Sequence, residues 1–484
     1  ANRKNAGALM PRTTRFKRIP LNIATGINQA QSRAVSITRL SNWYPESTPN
    51  GTGQAALYPF PGLSIWGGAV VAEPSYLDRG LYVFNSTLYF IKGSYLYSQD
   101  ESGTATSIGT IYGSNICQFA DNGTVMLIVT GGPVYQYDGT SLTVLTDITF
   151  NPTSIKYING KFIFNSDTGN FWHTNPGTVF VDGANFAAPE SNPDPFVAPY
   201  VFNQVLYLFG TRTVEPWRDV GSGNPSFERE SQAIIDGSGC SSVHGICNTS
   251  DFMYFIDRSG VVLRIRSYQA DVVSNHAISN IIKSYNLTRY TANAVKFNGH
   301  WFVIFNFYAN DKTLVYSENT GEFFNLTSGN DEGAWQGGLY AFCYGLHHFA
   351  DRANSYLYKL DWDTYYNSNV ITIREKIFDF VCGEKFGDPR GWYETSKFYF
   401  GIEPGVGLVD GQGSNPYIMV SVSIDGKTWG SEEFIEIGRL GDFSREIEWS
   451  HFIRFQQLAV RVRLSDPVRC VFFSAAVDVR QAGV

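Results

Sequence analysis

A hairpin that keeps returning constrains this chain more than any other feature. Between residues 81 and 360 one local pattern recurs: a β-type run, a short turn carrying Gly, Asn or Asp, and a second run of the same kind. The first runs begin near residues 81, 125, 155, 201, 252, 295 and 342, so successive starts lie 44, 30, 46, 51, 43 and 47 residues apart. Asn159-Gly160 and Asn298-Gly299 supply the two φ > 0 residues of a type I′ turn, which fixes the register of the strands on either side. A three- or four-stranded sheet needs this length, and its repetition predicts a propeller of five to seven blades. A large sandwich has similar strand density but need not recur so regularly. One helix interrupts the series: Ser274 or Asn275 can cap it, and Ala277, Ile278, Ile281, Ile282 and Tyr285 share a face expected to pack on a sheet.

Beyond residue 366 the strands change character. Runs at 371–381, 397–402, 417–424, 433–437, 452–455, 458–464 and 468–479, with a Gly-rich loop at 401–413, predict a separate compact sandwich. The expected fold is therefore all-β: a β-propeller-like body with an additional C-terminal antiparallel β-sandwich-like domain. The expected divisions are 1–80 (basic arm and lead-in segment), 81–361 (propeller) and 362–484 (sandwich). The head shows few clear strands, and its Tyr58-Pro-Phe-Pro-Gly62 turn stiffens the approach to the first blade.

Composition closes off several alternatives. With 10 Trp, 28 Tyr and 36 Phe among 484 residues and only 17% charged, the chain is too apolar for disorder. Its 47 Gly and 20 Pro lack the period of collagen, and no run of 18 apolar residues or apolar leader suggests a membrane span or an export signal. A soluble protein is expected. The six Cys (117, 240, 247, 343, 382, 470) lack zinc-ligand spacing and read as buried free thiols of a reducing compartment.

The net charge of −7 hides an asymmetry. Residues 1–40 hold Arg3, Lys4, Arg12, Arg15, Lys17, Arg18, Arg33 and Arg39 with no acid, a balance of +8. The remainder carries the other 29 bases against all 44 acids, a balance of −15. A basic arm on an acidic body points to an anionic partner, either nucleic acid or the acidic face of another subunit; otherwise it is a solvated tail. The candidate partner-binding residues are Arg3, Lys4, Arg12, Arg15, Lys17 and Arg18.

Signs of catalysis are weak. Ser423-Ile-Asp-Gly-Lys-Thr-Trp429 nearly spells the Asp-box of sialidase-like propellers but lacks one residue between Asp425 and Gly426, and it reads as a hairpin turn. Asp331/Glu332, Glu432/Glu433 and Asp361/Asp363 offer paired carboxylates without a visible cleft. The seven His lack metal spacing, and His347 and His348 in one strand face opposite ways. There is no G-x-S-x-G, Walker A or G-x-G-x-x-G motif. No catalytic residue, metal or cofactor is expected.

Several stretches taken in order resemble one family. They are Tyr58-Pro-Phe-Pro-Gly-Leu, Phe209-Gly-Thr-Arg-Thr-Val-Glu-Pro-Trp217, Ile278-Ser-Asn-Ile-Ile-Lys-Ser-Tyr285, Ser423-Ile-Asp-Gly-Lys-Thr-Trp-Gly430, Ile435-Glu436, Arg445, Trp449 and Val460-Arg-Val-Arg463. The family is the hub or nozzle (packaged-DNA stabilisation, tail accessory) protein of short-tailed Salmonella-type phages. The resemblance implies a non-enzymatic virion component, a homo-hexamer beneath the portal and the adaptor ring. It would extend the channel for packaged double-stranded DNA, retain the genome, allow its ejection, and contact the tail needle or plug and the tailspike or fibre proteins. Such a protein assembles in the bacterial host cytoplasm and resides in the virion tail. The longer basic head departs from the pattern; it is expected to dock on the adaptor or a neighbouring subunit, and deletion of 1–40 to block assembly. The loop at 401–417 is one candidate for the channel constriction. The alternative is a glycan-binding or polysaccharide-degrading tail protein, probably trimeric.

Overall fold

The computed structural model describes residues 15–30, 36–47, 55–67, 78–189, 192–329, 333–351, 356–368, 370–378 and 391–482. Contacts divide the chain into Pro61–Thr372 and a second unit made of Ala1–Phe60 with Ile373–Val484. The sequence reading places the divisions at 80/81 and 361/362. The difference arises because Lys17–Leu21, Ile37–Ser41 and Ala55–Pro59 also find strand partners more than 300 residues away, a pairing that no local pattern announces.

Pro61–Thr372 is a propeller. Its first blade runs Asp78–Phe84, Thr87–Lys92, Tyr95–Gln99 and Ala105–Thr110, and antiparallel sheets follow at 118–145, 155–187, 196–236, 247–272 and 290–325. The last sheet takes Gly337–Cys343, Leu346–Asp351 and Leu357–Asp361 from its own segment and a fourth strand, Gly62–Ile65, from the head. That makes seven blades among the described residues. The fourth strand runs antiparallel to Leu357–Asp361, with Gly62 opposite Asp361 and Ile65 opposite Tyr358.

Apolar cores lie between neighbouring blades. Phe84, Ile91 and Leu96 of the first blade pack with Met126 and Ile128 of the second. Leu127 and Val134 meet Ile155 and Phe162, and Ile163 and Phe171 meet Leu206, Leu208 and Trp217. The ring closes where Leu81, Leu88 and Phe90 pack with Ala341, Ala350, Leu357 and Trp66. Each large side chain buried in this way stabilises the ring by roughly 1.5–3 kcal/mol. The hairpins use the turn that strand twist favours: φ is +50° and +82° at Asn159 and Gly160, +48° and +78° at Asn298 and Gly299, and +47° and +61° at Asn85 and Ser86.

Sequence reasoning passes over the innermost strands Gln118–Asp121 and Cys247–Asn248. Both are short and polar, and they lack the alternation that marks a strand with one dry face. The helix spans His276–Lys283; Asn275 accepts the Ile278 N–H at 2.8 Å, and Ala277, Ile278 and Ile282 are buried. Tyr285 beyond it packs against Phe307 at 4.9 Å.

The other unit is a two-sheet sandwich. One sheet contains Trp43–Ser47, Ala55–Pro59, Tyr393–Ile402, Glu448–Ser450 and Phe472–Gln481, with Lys17–Leu21 added along the last of these. The second contains Asn28–Gln29, Ile37–Ser41, Arg374–Phe378, Tyr417–Ser423, Glu433–Glu436 and Ala459–Leu464. The head therefore supplies strands to both sheets. Buried Trp43 donates its indole N–H to the Cys470 carbonyl at 3.0 Å. Cys117, Cys240, Cys247, Cys343 and Cys470 are buried free thiols, and Cys382 lies outside the described residues.

Closure of the ring leaves no room at Gly62. A Cβ there would lie 2.2 Å from the Tyr366 carbonyl oxygen and 2.7 Å from that of Thr364. Gly62→Ala is expected to destabilise the protein by about 1–3 kcal/mol, as overpacking of a tight site does. Chemical denaturation checks this, and an unchanged midpoint would mean that the closing strand tolerates displacement.

Candidate functional site

Two surfaces of the sandwich unit draw attention: the basic strand at its N-terminal edge and a pair of apolar loops. Of the six basic residues expected to bind a partner, Arg3, Lys4 and Arg12 lie outside the described residues. Arg15 and Lys17 are exposed. In Lys17–Leu21 the alternation turns Ile19 and Leu21 inward, while Arg18 pairs in register with Asp478. The Arg18 Nε donates to the Asp478 carboxylate at 3.2 Å, and its guanidinium lies 3.5 Å from the centre of the Tyr399 ring. Tyr399 donates its hydroxyl to the same carboxylate at 2.7 Å. The hydrogen bond to Asp478 holds Arg18 above its ordinary range. Arg18 is thus engaged within its own chain, whereas Arg15 and Lys17 present charge outward.

The second surface is built by the loops that follow Tyr393–Ile402 and Glu433–Glu436. They carry Leu408, Val409, Leu440 and Phe443, with 41%, 85%, 61% and 73% of their surface exposed. The loops touch: the Gly441 N–H donates to the Gly405 carbonyl at 3.3 Å. A Cβ at Gly405, where φ is +74°, would lie 2.8 Å from the Phe443 ring. Only glycine permits both that backbone angle and that approach. Arg445 anchors the base of the second loop, 2.7 Å from Glu436 and 3.4 Å from Asp442. Isolated exposed apolar residues are ordinary, but four on two contacting loops form a patch of the kind that marks an interface. The Gly-rich loop is visible in the sequence; the contribution of Leu440 and Phe443 is not, because it depends on the contact between the loops.

The other sequence candidates have structural partners. Asp425 accepts N–H groups from Lys427 and Thr428, both at 2.7 Å, in a tight turn, so the near-Asp-box is a hairpin device. Glu432 lies 2.8 Å from Arg463 and 3.4 Å from Arg461, and Glu433 accepts the Trp449 indole N–H at 2.8 Å. Asp361 accepts from Ser64 at 3.0 Å and from the Asp363 N–H at 3.1 Å. Asp331 and Glu332 lie outside the described residues. His347 meets the Tyr340 hydroxyl at 2.9 Å, while the ring of buried His348 lies tilted against Trp66, centroids 4.2 Å apart. Among the described residues no three His, Cys, Asp or Glu are grouped to hold a metal, and no helix is long and apolar enough to cross a membrane.

Comparison with known proteins gives two family matches in succession along the chain. A family model described as Bacteriophage P22 Gp10, beta-propeller, matches residues 17–365, and one described as Bacteriophage P22 Gp10, beta-sandwich, matches residues 395–480. No curated protein matches the chain. Among solved structures, it is similar to the WD40 β-propeller domain of Doa1 at 11% identity and a TM-score of 0.41, over 62% of this chain and 97% of that one. A computationally designed protein, Ika8, matches at 10% identity and a TM-score of 0.41, over 62% and 100%. YCF48 bound to D1 peptide matches at 10% and 0.39, over 62% and 97%.

The backbone N–H groups of Thr428 and Lys427 hold the Asp425 carboxyl below its usual range, and those of Ser141 and Thr140, with the Thr140 hydroxyl, do the same for Asp138. A depressed folded-state pKa gives stability that is complete above the unfolded value of about 4 and disappears as pH falls through the folded value. Asp425→Asn and Asp138→Asn should each flatten the acid limb of a melting-temperature profile below about pH 4. An acid limb as steep as that of the parent protein would contradict this account of the turns.

Proposed function

The chain belongs to the bacteriophage P22 Gp10 family and is a structural protein of the phage tail; from this premise we propose that six copies close into the hub that extends the DNA channel below the portal and adaptor. The observation that carries the proposal is the succession of the two family matches over residues 17–365 and 395–480. Further support comes from the exposed apolar loops, which suit a subunit that completes its surface only on assembly. A heterologous contact repeated around an axis closes a ring, and six subunits can each meet two members of a twelve-fold adaptor.

The mechanism is mechanical and electrostatic. DNA halted under pressure must later slide, and every phosphate neutralised by the wall strengthens binding through counterion release. A body with a balance of −15 outside residues 1–40 can line the conduit with few cations. Several of its acids accept N–H groups in turns while staying exposed, as Asp100, Asp138 and Asp425 do, so structural and electrostatic roles coincide. The basic segment docks on the adaptor or a neighbouring hub subunit through Arg15, Lys17 and the residues preceding them. The loop at 401–417 remains the proposed constriction.

Deleting 1–40 would remove buried Ile19, Leu21, Ile37 and Leu40 as well as charge, so assembly and folding must be tested apart. Arg15→Glu with Lys17→Glu should leave the melting temperature of the subunit within a few degrees while reducing hub incorporation into capsids at least tenfold. Leu440→Ser with Phe443→Ser should abolish the six-fold mass in sedimentation with the adaptor present and leave the subunit folded. A trimer that cleaves a polysaccharide would overturn the hub reading in favour of a glycan-directed tail protein.

A further inference from the structure

The innermost strands of the propeller and the segments leading into them line two adjoining, partly open cavities of about 360 and 210 Å³, which share Ile116 and His244. Their walls contain Lys156, Arg289 and His244 and, among the described residues, no aspartate or glutamate. Lys156, on the strand Ile155–Ile158, directs its ammonium group at the ring of Tyr200, 4.7 Å from the centroid. Tyr200 in turn donates to Asn248 at 2.8 Å. The acid nearest in sequence to Gln118, Asp121, is taken by the Tyr82 hydroxyl at 2.6 Å and the Gly123 N–H at 2.9 Å. Burial alone depresses Lys156 to about 8, and no acidic group raises it. His244 is depressed to about 4, first by burial and then by the fields of Lys156 and Arg289, so the imidazole lies within reach of both cations.

The orientation of His244 is set by its neighbours. Gln118 donates to the Val243 carbonyl at 2.9 Å, accepts from Ser154 at 2.8 Å, and places its amide nitrogen 3.3 Å from the His244 Nδ1. An amide N–H aimed at Nδ1 makes that atom an acceptor and leaves the proton of the neutral ring on Nε2, so the imidazole too is a donor. Lysine, arginine and an imidazole N–H around two adjoining, partly open cavities, without a carboxylate among their described lining residues, form a concentration of positive charge and donors that an anion would offset.

We propose that the axial cavity of the propeller is a binding site for a compact, multiply charged oxyanion of the phosphate class, held by Lys156 and Arg289 with His244 as a further donor. The space admits a small ion and not a folded segment, so the occupant is a free anion. The bound anion ties strands of several blades together and stabilises the ring from its axis; the inference does not depend on the hub reading.

The test is titration of the full chain with inorganic phosphate at pH 7, by calorimetry and by thermal shift, against sodium chloride at equal ionic strength. One site per chain and a phosphate-specific rise in melting temperature are expected. Lys156→Met, which keeps the length of the side chain and removes an unpaired charge, should weaken phosphate binding at least tenfold while raising the melting temperature without phosphate. Arg289→Gln, at an exposed position, should weaken binding without altering the unliganded protein. No phosphate-specific effect in the parent chain, or phosphate affinity in both variants equal to that of the parent, would overturn the proposal.

Discussion

A propeller holds together only if its last sheet is tied to its first, because a ring left open presents sheet edges that pair with whatever they meet. Here the tie is the four-residue strand Gly62–Ile65, which completes the last blade from the other end of the unit. Ser64 reaches Asp361 at 3.0 Å across 297 residues of chain. Trp66, immediately after the strand, lies 6.0 Å from Tyr344 and 4.2 Å from His348 between the ring's last and first sheets. Burial pulls His348 down to about 4, so the closure carries a neutral ring at physiological pH and does not loosen through its titration. The remaining blades can then rely on apolar packing between neighbours, repeated around the ring.

The sandwich solves the same problem by interleaving the two ends of the polypeptide. Strands from residues 17–59 pair with strands from 374–481 in both sheets. Rows of charge run over the outer faces: Arg39 with Glu375, Glu375 with Arg463 and Glu432 with Arg461 and Arg463 on one sheet, and Arg18 with Asp478 and Arg480 with Glu394 on the other. Arg18 apart, these groups are partly buried, and the pairs on the first sheet share partners, which lets them contribute more than isolated surface pairs do. The basic head is therefore in part a structural element, with Arg18 and Arg39 balanced by acids of the C-terminal segment. The charge it can offer a partner is concentrated in Arg15, Lys17 and the residues before them.

The residues that carry the family resemblance are mostly architectural. Glu215 is buried and accepts the Trp217 indole N–H at 3.1 Å. Arg445 ties two acids at the base of a loop, and Arg461 lies 4.5 Å from the centre of the Trp429 ring. A framework specified this densely leaves its variable chemistry to loop tips and to the propeller axis, where the apolar patch and the basic cavity are found.

From the sequence alone came the hairpin repeat, the type I′ turns at Asn159-Gly160 and Asn298-Gly299, the cap and buried face of the helix at His276–Lys283, and the change of architecture beyond residue 366. All of these rest on interactions between residues a few positions apart, so a linear reading reaches them. The tertiary structure decided which strand closes the ring, that the strands between residues 17 and 59 belong to the sandwich, that Arg18 is engaged within the chain, and that Leu440 and Phe443 join Leu408 and Val409. It also gathered Lys156, His244 and Arg289, which lie on separate segments, around one cavity. Each of these depends on pairing or convergence over tens to hundreds of residues, and alternation, turn chemistry and composition are silent about which distant partner a strand or side chain will meet.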